Sequence, residues 1–226
     1  MLQTIQEIIN QAKSLGYTIH TKPFKLNIIG VRSANRTDQS KFDDKIAYFT
    51  YDNNGKLIGK IAPATTDPST AWLTSPMESV KSKGTAILKS GEYKDAYKID
   101  LHKKEYEAVV QYKPVTVIRD NDRNALINYL SKTEKGIFGI NIHKASLGKN
   151  NEYLIGKDSA GCQVFQKVAD FNDFMFMAHK SKDLHGNVFS YILLDEIDKV
   201  KFVNTGILGL GLILLTISIY RLFYIN

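Results

Sequence analysis

Only one cysteine, Cys162, occurs in the chain. No internal disulfide can form, so an oxidatively stapled scaffold is excluded. A structural zinc site usually takes four ligands, so His, Asp or Glu would have to supply most of them. No such signature is present: His179 and His185 flank Asp183 at a spacing that matches no metal motif. No metal and no cofactor is expected. Clustered basic residues are also missing. The net charge is +7 over 226 residues, but the lysines are dispersed and form no stripe interleaved with aromatics. Dispersed positive charge favours anionic polymers such as cell wall, phospholipid or nucleic acid without choosing among them. The missing motif argues against nucleic acid. There is no internal repeat, no low-complexity linker, and no basic region ahead of the first apolar stretch to suggest a signal peptide.

What is present reads as a globular chain, 43% hydrophobic and 23% charged. Leu2, Ile5, Ile8, Ile9, Ala12 and Leu15 recur at helical spacing before Gly16, so residues 1–24 are expected to hold an amphipathic helix and a lead-in. From 25 to 200 the pattern changes to short apolar runs. KLNIIGVRS reads as a buried strand, and KIAYFTYDNNGKLIGKIAP as a hairpin around Asn53, Asn54 and Gly55. GTAIL, AYKID, YEAVVQY, VTVIRD, FGINIH and NVFSYILLDEIDKV supply further strands. VADFNDFMFMAHKSKD reads as a helix with Phe171, Phe174, Met175 and Ala178 on one face. ATTDPSTAWLTSP, with the lone Trp72, reads as a surface turn. The expectation is a mainly-β domain with peripheral helices.

From Phe202 to Tyr220 no charge interrupts the chain. A helix over 202–221 rises ~1.5 Å per residue and matches the ~30 Å hydrocarbon core of a bilayer. Lys199, Lys201 and Arg221 flank it, where long cations can snorkel. The pattern predicts a single-pass C-terminal anchor in contact with membrane lipid. Gly206, Gly209 and Gly211 offer a face for homo-oligomerisation within the bilayer. The excess of Lys199 and Lys201 over Arg221 favours a cytoplasmic domain, although the side is left open.

The chemistry-bearing stretch is HKASLGKNNEYLIGKDSAGCQVF, from His143 to Phe165. A thiol becomes a nucleophile when a base removes its proton. An imidazole suits that task near neutral pH. His143 ends an expected strand, and S-A-G-C offers a glycine turn that brings backbone N–H groups toward the thiol. The residues alone also allow a second reading, in which Cys162 is a small buried hydrophobe and His143 is unrelated to it. Arg32 lies in an apolar strand, where a buried charge needs a partner. It could hold a substrate carboxylate or form a structural ion pair. Asp120, Asp122 and Arg123 form a charged turn, with a substrate-facing loop as the alternative.

A histidine, fifteen residues (144–158) and then S-A-G-C resembles the motif of the L,D-transpeptidase (YkuD-like) family. That motif is a histidine, a spacer of similar length and Ser/Thr-His-Gly-Cys. FGINIH is similar to the strand leading to the family histidine. The wider pattern is similar to proteins encoded by phages and prophages. The resemblance implies a β-sandwich and an acyl-cysteine enzyme acting on peptidoglycan stem peptides or their precursors. It implies Cys162 as nucleophile, His143 as base, Ser159 shaping the turn, and N–H groups of Gly161 and Cys162 steadying the oxyanion. Lys144 would orient the imidazole through its main-chain carbonyl. Ala160 stands where the family has a histidine that helps hold substrate, and Val164 where it usually has Arg or Asn. Two alternatives need no catalysis: a cell-wall-binding module that keeps the fold, and a lysis-associated phage membrane protein.

Overall fold

The computed structural model describes residues 3–146 and 154–196. Helix α1 (Ile5–Ser14) starts at a reciprocal cap: Thr4 Oγ1 accepts from Glu7 N, and Glu7 Oε2 accepts from Thr4 N at 2.7 Å. It stops at Gly16, whose φ of 78° suits glycine. Strands β1 (Asn27–Arg32), β2 (Asp44–Tyr51) and β3 (Leu57–Thr65) form an antiparallel meander. The β2–β3 turn closes on Asp52, whose carboxylate accepts from Asn54 N and Lys56 N, both at 2.8 Å. After α2 (Thr70–Thr74) come β4 (Thr85–Leu88), β5 (Gly91–His102), β6 (Tyr106–Gln111), β7 (Val115–Asp120) and β8 (Thr133–Gly136). Two short strands, β9 (Ile142–Lys144) and β10 (Gln163–Phe165), precede α3 (Val168–His185) and β11 (Phe189–Asp195).

Eight strands close into a barrel in the order β1-β11-β5-β6-β9-β10-β3-β2, and β4-β7-β8 form a separate three-stranded sheet. The β1–β11 and β9–β10 pairs are parallel. This corrects the expected sandwich. A sandwich needs two sheets with free edges, whereas here β1 pairs with both β2 and β11, and β10 bridges β9 to β3. Closure removes the edges. It also explains why β1 is buried at every position. One of its faces looks into the barrel; on the other, Ile29 and Val31 lie under Ile8, Ile9 and Ala12 of α1. The inner core continues through Tyr48, Phe165, Phe171 and Phe174, whose rings meet edge-on or tilted. Phe171, Phe174, Met175 and Ala178 of α3 are all buried, as their spacing predicts.

Three further expectations change. The segment read as a surface turn is partly interior: Thr65, Thr66, Asp67 and Ser69 are buried. FGINIH is a strand only from Ile142 onward. No helix among the described residues is long and apolar enough to cross a membrane. The longest of these, α3, has 18 residues but carries Asp170, Asp173, Lys180, Lys182 and Asp183. Residues 202–221, read as an anchor, lie outside the described residues. The single-pass anchor and the membrane localisation therefore have no structural support and are withdrawn. The lipid contact and helix-mediated oligomer inferred from that anchor lose their footing with it.

Candidate active site

The turn before β10 is built by Ser159. Its hydroxyl is buried, lies 2.8 Å from the carbonyl oxygens of both Asp67 and Cys162, and accepts from Gly161 N at 3.2 Å. The Ser159 carbonyl accepts from Ser69 N at 2.9 Å. These bonds tie the turn to the link between β3 and α2. Gly161 adopts φ 122°, and a Cβ there would lie 2.2 Å from the Ala86 carbonyl oxygen on β4. Only glycine fits. Because Gly161 N–H is engaged by Ser159, it is not a free oxyanion donor. Cys162 N–H has no acceptor among the described residues and remains available.

The half-buried Cys162 lines a cleft of about 420 Å³ walled by Trp72, Ala86, Arg119, Phe138 and Ala160. Arg119 reaches over the Phe138 ring at 4.8 Å and pairs with Glu134 at 2.8 Å. The sulfur donates to the Gly139 carbonyl at 3.4 Å. Burial pushes the thiol pKa up, against the opposing pull of the Asn141 backbone N–H and the Lys103 charge.

Parallel pairing sets His143 opposite Val164. Side chains alternate faces along a strand. Phe165 and Ile142 enter the barrel core, whereas Val164 and Cys162 share a separate outer cluster. Cys162 stands just before β10, two residues from the position opposite His143, and the sulfur and the imidazole line separate clefts. From ~4.8 Å between strands and ~3.3 Å per residue, their Cα atoms are about 8 Å apart, a diagonal that an imidazole can reach across. Among the described residues no hydrogen bond joins the sulfur to the ring.

His143 is 5% exposed. Its Nδ1 lies 2.8 Å from the Lys144 carbonyl oxygen and 3.5 Å from the Tyr106 hydroxyl. The carbonyl can only accept, so Nδ1 carries the proton and Nε2 keeps its lone pair. The ring stacks on His102 at 4.2 Å and 24°. Burial, and then the neighbouring His102, push the His143 pKa down to about 3, against the raising effect of the Lys144 carbonyl. His143 lines a second cleft, of about 450 Å³, with His102, Lys103, Tyr106, Lys144 and Asp158. The Lys144 ammonium sits over the Tyr106 ring at 4.6 Å.

This low pKa has a consequence for stability. Folded, His143 binds no proton above about pH 3; unfolded, it binds one below about pH 6.5. Its contribution is thus complete above the unfolded value and is lost as pH falls from there toward 3. Asp44 works in the opposite direction, because burial pushes its carboxyl up to about 7. Comparison with His143→Phe isolates the histidine. Between about pH 7 and pH 5, wild type should lose roughly 2 kcal/mol more unfolding free energy than the variant, as urea denaturation would read. Parallel pH dependences would refute the buried neutral imidazole.

Arg32 lines neither cleft. It is 1% exposed, its Nε lies 2.7 Å from Asp67 Oδ1, and its Nη2 donates to the Thr66 and Leu88 carbonyls. With Tyr129 at 5.4 Å beneath it, it is the structural ion pair. Asp120 accepts from Asp122 N and Asn128 N, and Arg123 donates to the Lys81 carbonyl, so that segment is a charged turn tied to the stretch after α2. His179 pairs with Glu107 and His185 bonds the Pro23 carbonyl. No group of three metal-ligating side chains occurs among the described residues.

Sequence reasoning missed His102, Tyr106 and Asn141. The β5–β6–β9 register brings His102 and Tyr106 to His143, and no local spacing signals it; Asn141 stands two residues before His143, but its bond to His102 depends on the same register.

No protein-family profile matches the chain. No curated protein matches it either.

Proposed function

We propose that the protein is a cysteine acyl-transfer enzyme acting on amide bonds, with peptidoglycan stem peptides or their precursors as the substrate class suggested by the His143 and S-A-G-C pattern. What supports this reading is the β9–β10 register, which sets His143 opposite Val164, two residues from Cys162, with Nδ1 held by the Lys144 carbonyl so that Nε2 keeps its lone pair. The S–H proton passes to Nε2 as sulfur bonds to the carbonyl carbon. The oxyanion takes the Cys162 N–H. The C–N bond then breaks, the amine leaves with the proton from Nε2, and an acyl-cysteine remains. Water or a second amine attacks the thioester, gives its proton to Nε2, and the thiol is restored.

Two clefts suit this sequence: one at the sulfur for the acyl donor, and one at the imidazole for the attacking group. The competing reading is a binding module with an inert thiol, favoured by the raised thiol pKa and by the bond from Sγ to Gly139.

Alkylation of Cys162 separates the two. With a general base beside it, the rate at neutral pH should fall roughly 100-fold in His143→Ala. Acid-quenched mixtures with peptidoglycan fragments should show acyl mass on Cys162. Equal, slow alkylation of both proteins and no adduct would leave the binding module.

A further inference from the structure

The site contains a second imidazole that the proposed reaction does not use. His102 ends β5, just before a tight turn in which Lys103 and Lys104 hold φ of 51° and 62°. The turn folds His102 onto the face of β9, where it is 5% exposed and stacked on His143. Asn141 settles its tautomer. The Asn141 Oδ1 accepts from Gln111 N at 3.0 Å, which leaves Nδ2 as the donor, 3.1 Å from His102 Nδ1. His102 Nδ1 is therefore bare and Nε2 carries the proton. His143 has the opposite arrangement, with Nδ1–H toward Lys144 and Nε2 bare. Two neutral rings of fixed and complementary tautomer lie face to face.

Protonating either ring would set a cation against the other. The groups around the pair offset this only in part. Lys103, from the β5–β6 turn, and Lys144, on β9, are cations. Glu105 and Asp158 are the opposing carboxylates, and Asp158 is occupied by the Ser146 N–H and hydroxyl. Tyr106 offers a neutral hydroxyl and Cys162 a neutral thiol.

We propose that His102 is the positioning residue of this site: its stacked ring holds the plane of the resting, neutral His143 and so fixes the direction in which the Nε2 lone pair points. This rests on reading Cys162 and His143 as a reacting pair. The lowering of the His143 pKa by burial and then by His102 agrees with it.

The test uses the full chain, 15N-labelled at histidine, with ring correlation spectra followed from roughly pH 5 to 8. Wild-type His143 should stay a neutral Nδ1–H tautomer throughout. In His102→Ala that tautomer should be lost or begin to protonate within the range, and Cys162 alkylation should slow about 10-fold. His102→Phe keeps a ring to stack on, without a lone pair for Asn141. It should retain both the His143 tautomer and an alkylation rate within about 2-fold of wild type. A wild-type His143 titrating near its ordinary ~6.5 would overturn the proposal. So would a His143 spectrum unchanged by removal of the His102 ring. Should His102→Ala fail to fold, the wild-type titration and His102→Phe decide. If alkylation is indifferent to His143→Ala while the spectra behave as expected, the reacting pair fails and the positioned imidazole stands.

Discussion

Cys162→Ala should abolish turnover, by roughly 10⁴-fold or more, while the protein stays folded. The size of the loss follows from what is removed. No other cysteine exists in the chain to substitute for the nucleophile, and the backbone N–H at 162 cannot by itself open an amide. The fold should tolerate the change because the sulfur is half-buried at the edge of a small outer cluster of Phe42, Ala145, Ile155 and Val164. Removing it costs on the order of 1 kcal/mol, a shift of a few degrees in melting temperature. His143→Ala should leave more residual activity than Cys162→Ala, since hydroxide can replace a base but nothing replaces the thiol. The double variant should be no worse than Cys162→Ala alone, because two residues acting in one step do not add. Product release from peptidoglycan fragments, followed by mass spectrometry, reads all four proteins. Full activity of Cys162→Ala would end the assignment of the nucleophile.

Part of this site is visible in the sequence and part of it is not, and the division follows interaction range. His143, Ser159, Gly161 and Cys162 stand within one twenty-residue stretch, so they can be picked out as candidates from spacing. The cap of α1, the β2–β3 turn and the buried face of α3 are also local, and their patterns are obeyed. Barrel closure is not local. It depends on β1 finding β11, about 160 residues later, and on β10, three residues long and too short to show alternation. β8 is polar TEKG and carries no strand signal at all. A continuously apolar β1 fits a sandwich core as well as a barrel wall. Arg32 announced that it needed a partner, but Asp67 lay in a stretch whose Pro and Ser content read as surface. His102 reaches His143 through two strand registers, so its role emerges only from the fold. The 202–221 segment, whose composition suggests an anchor, lies outside the described residues, among which no helix is long and apolar enough to cross a membrane.

Gly161→Ala should be the most damaging single-methyl change in the site, costing about 3 kcal/mol and slowing Cys162 alkylation roughly 100-fold. Two independent demands meet at this position. The backbone holds φ 122°, which alanine adopts only under strain, and the added Cβ would lie 2.2 Å from the Ala86 carbonyl oxygen. That oxygen belongs to the backbone of a paired strand. Ala86 is registered against Arg119 of β7, so β4 cannot retreat without disturbing the three-stranded sheet. The turn must yield instead, and its movement is transmitted at once. Ser159 Oγ holds the Gly161 N–H and lies against the Cys162 carbonyl, so displacing Gly161 releases the bonds that aim the thiol into its cleft. A near-attack geometry lost by about 1 Å is worth the rate effect stated. Ala160→Ser is the matched control, since that side chain already lines the cleft, and it should leave both stability and alkylation near wild type. Chemical denaturation and timed alkylation of the two variants give the comparison. A Gly161→Ala protein that is destabilised but alkylates at the wild-type rate would show that the turn secures the fold without aiming the sulfur.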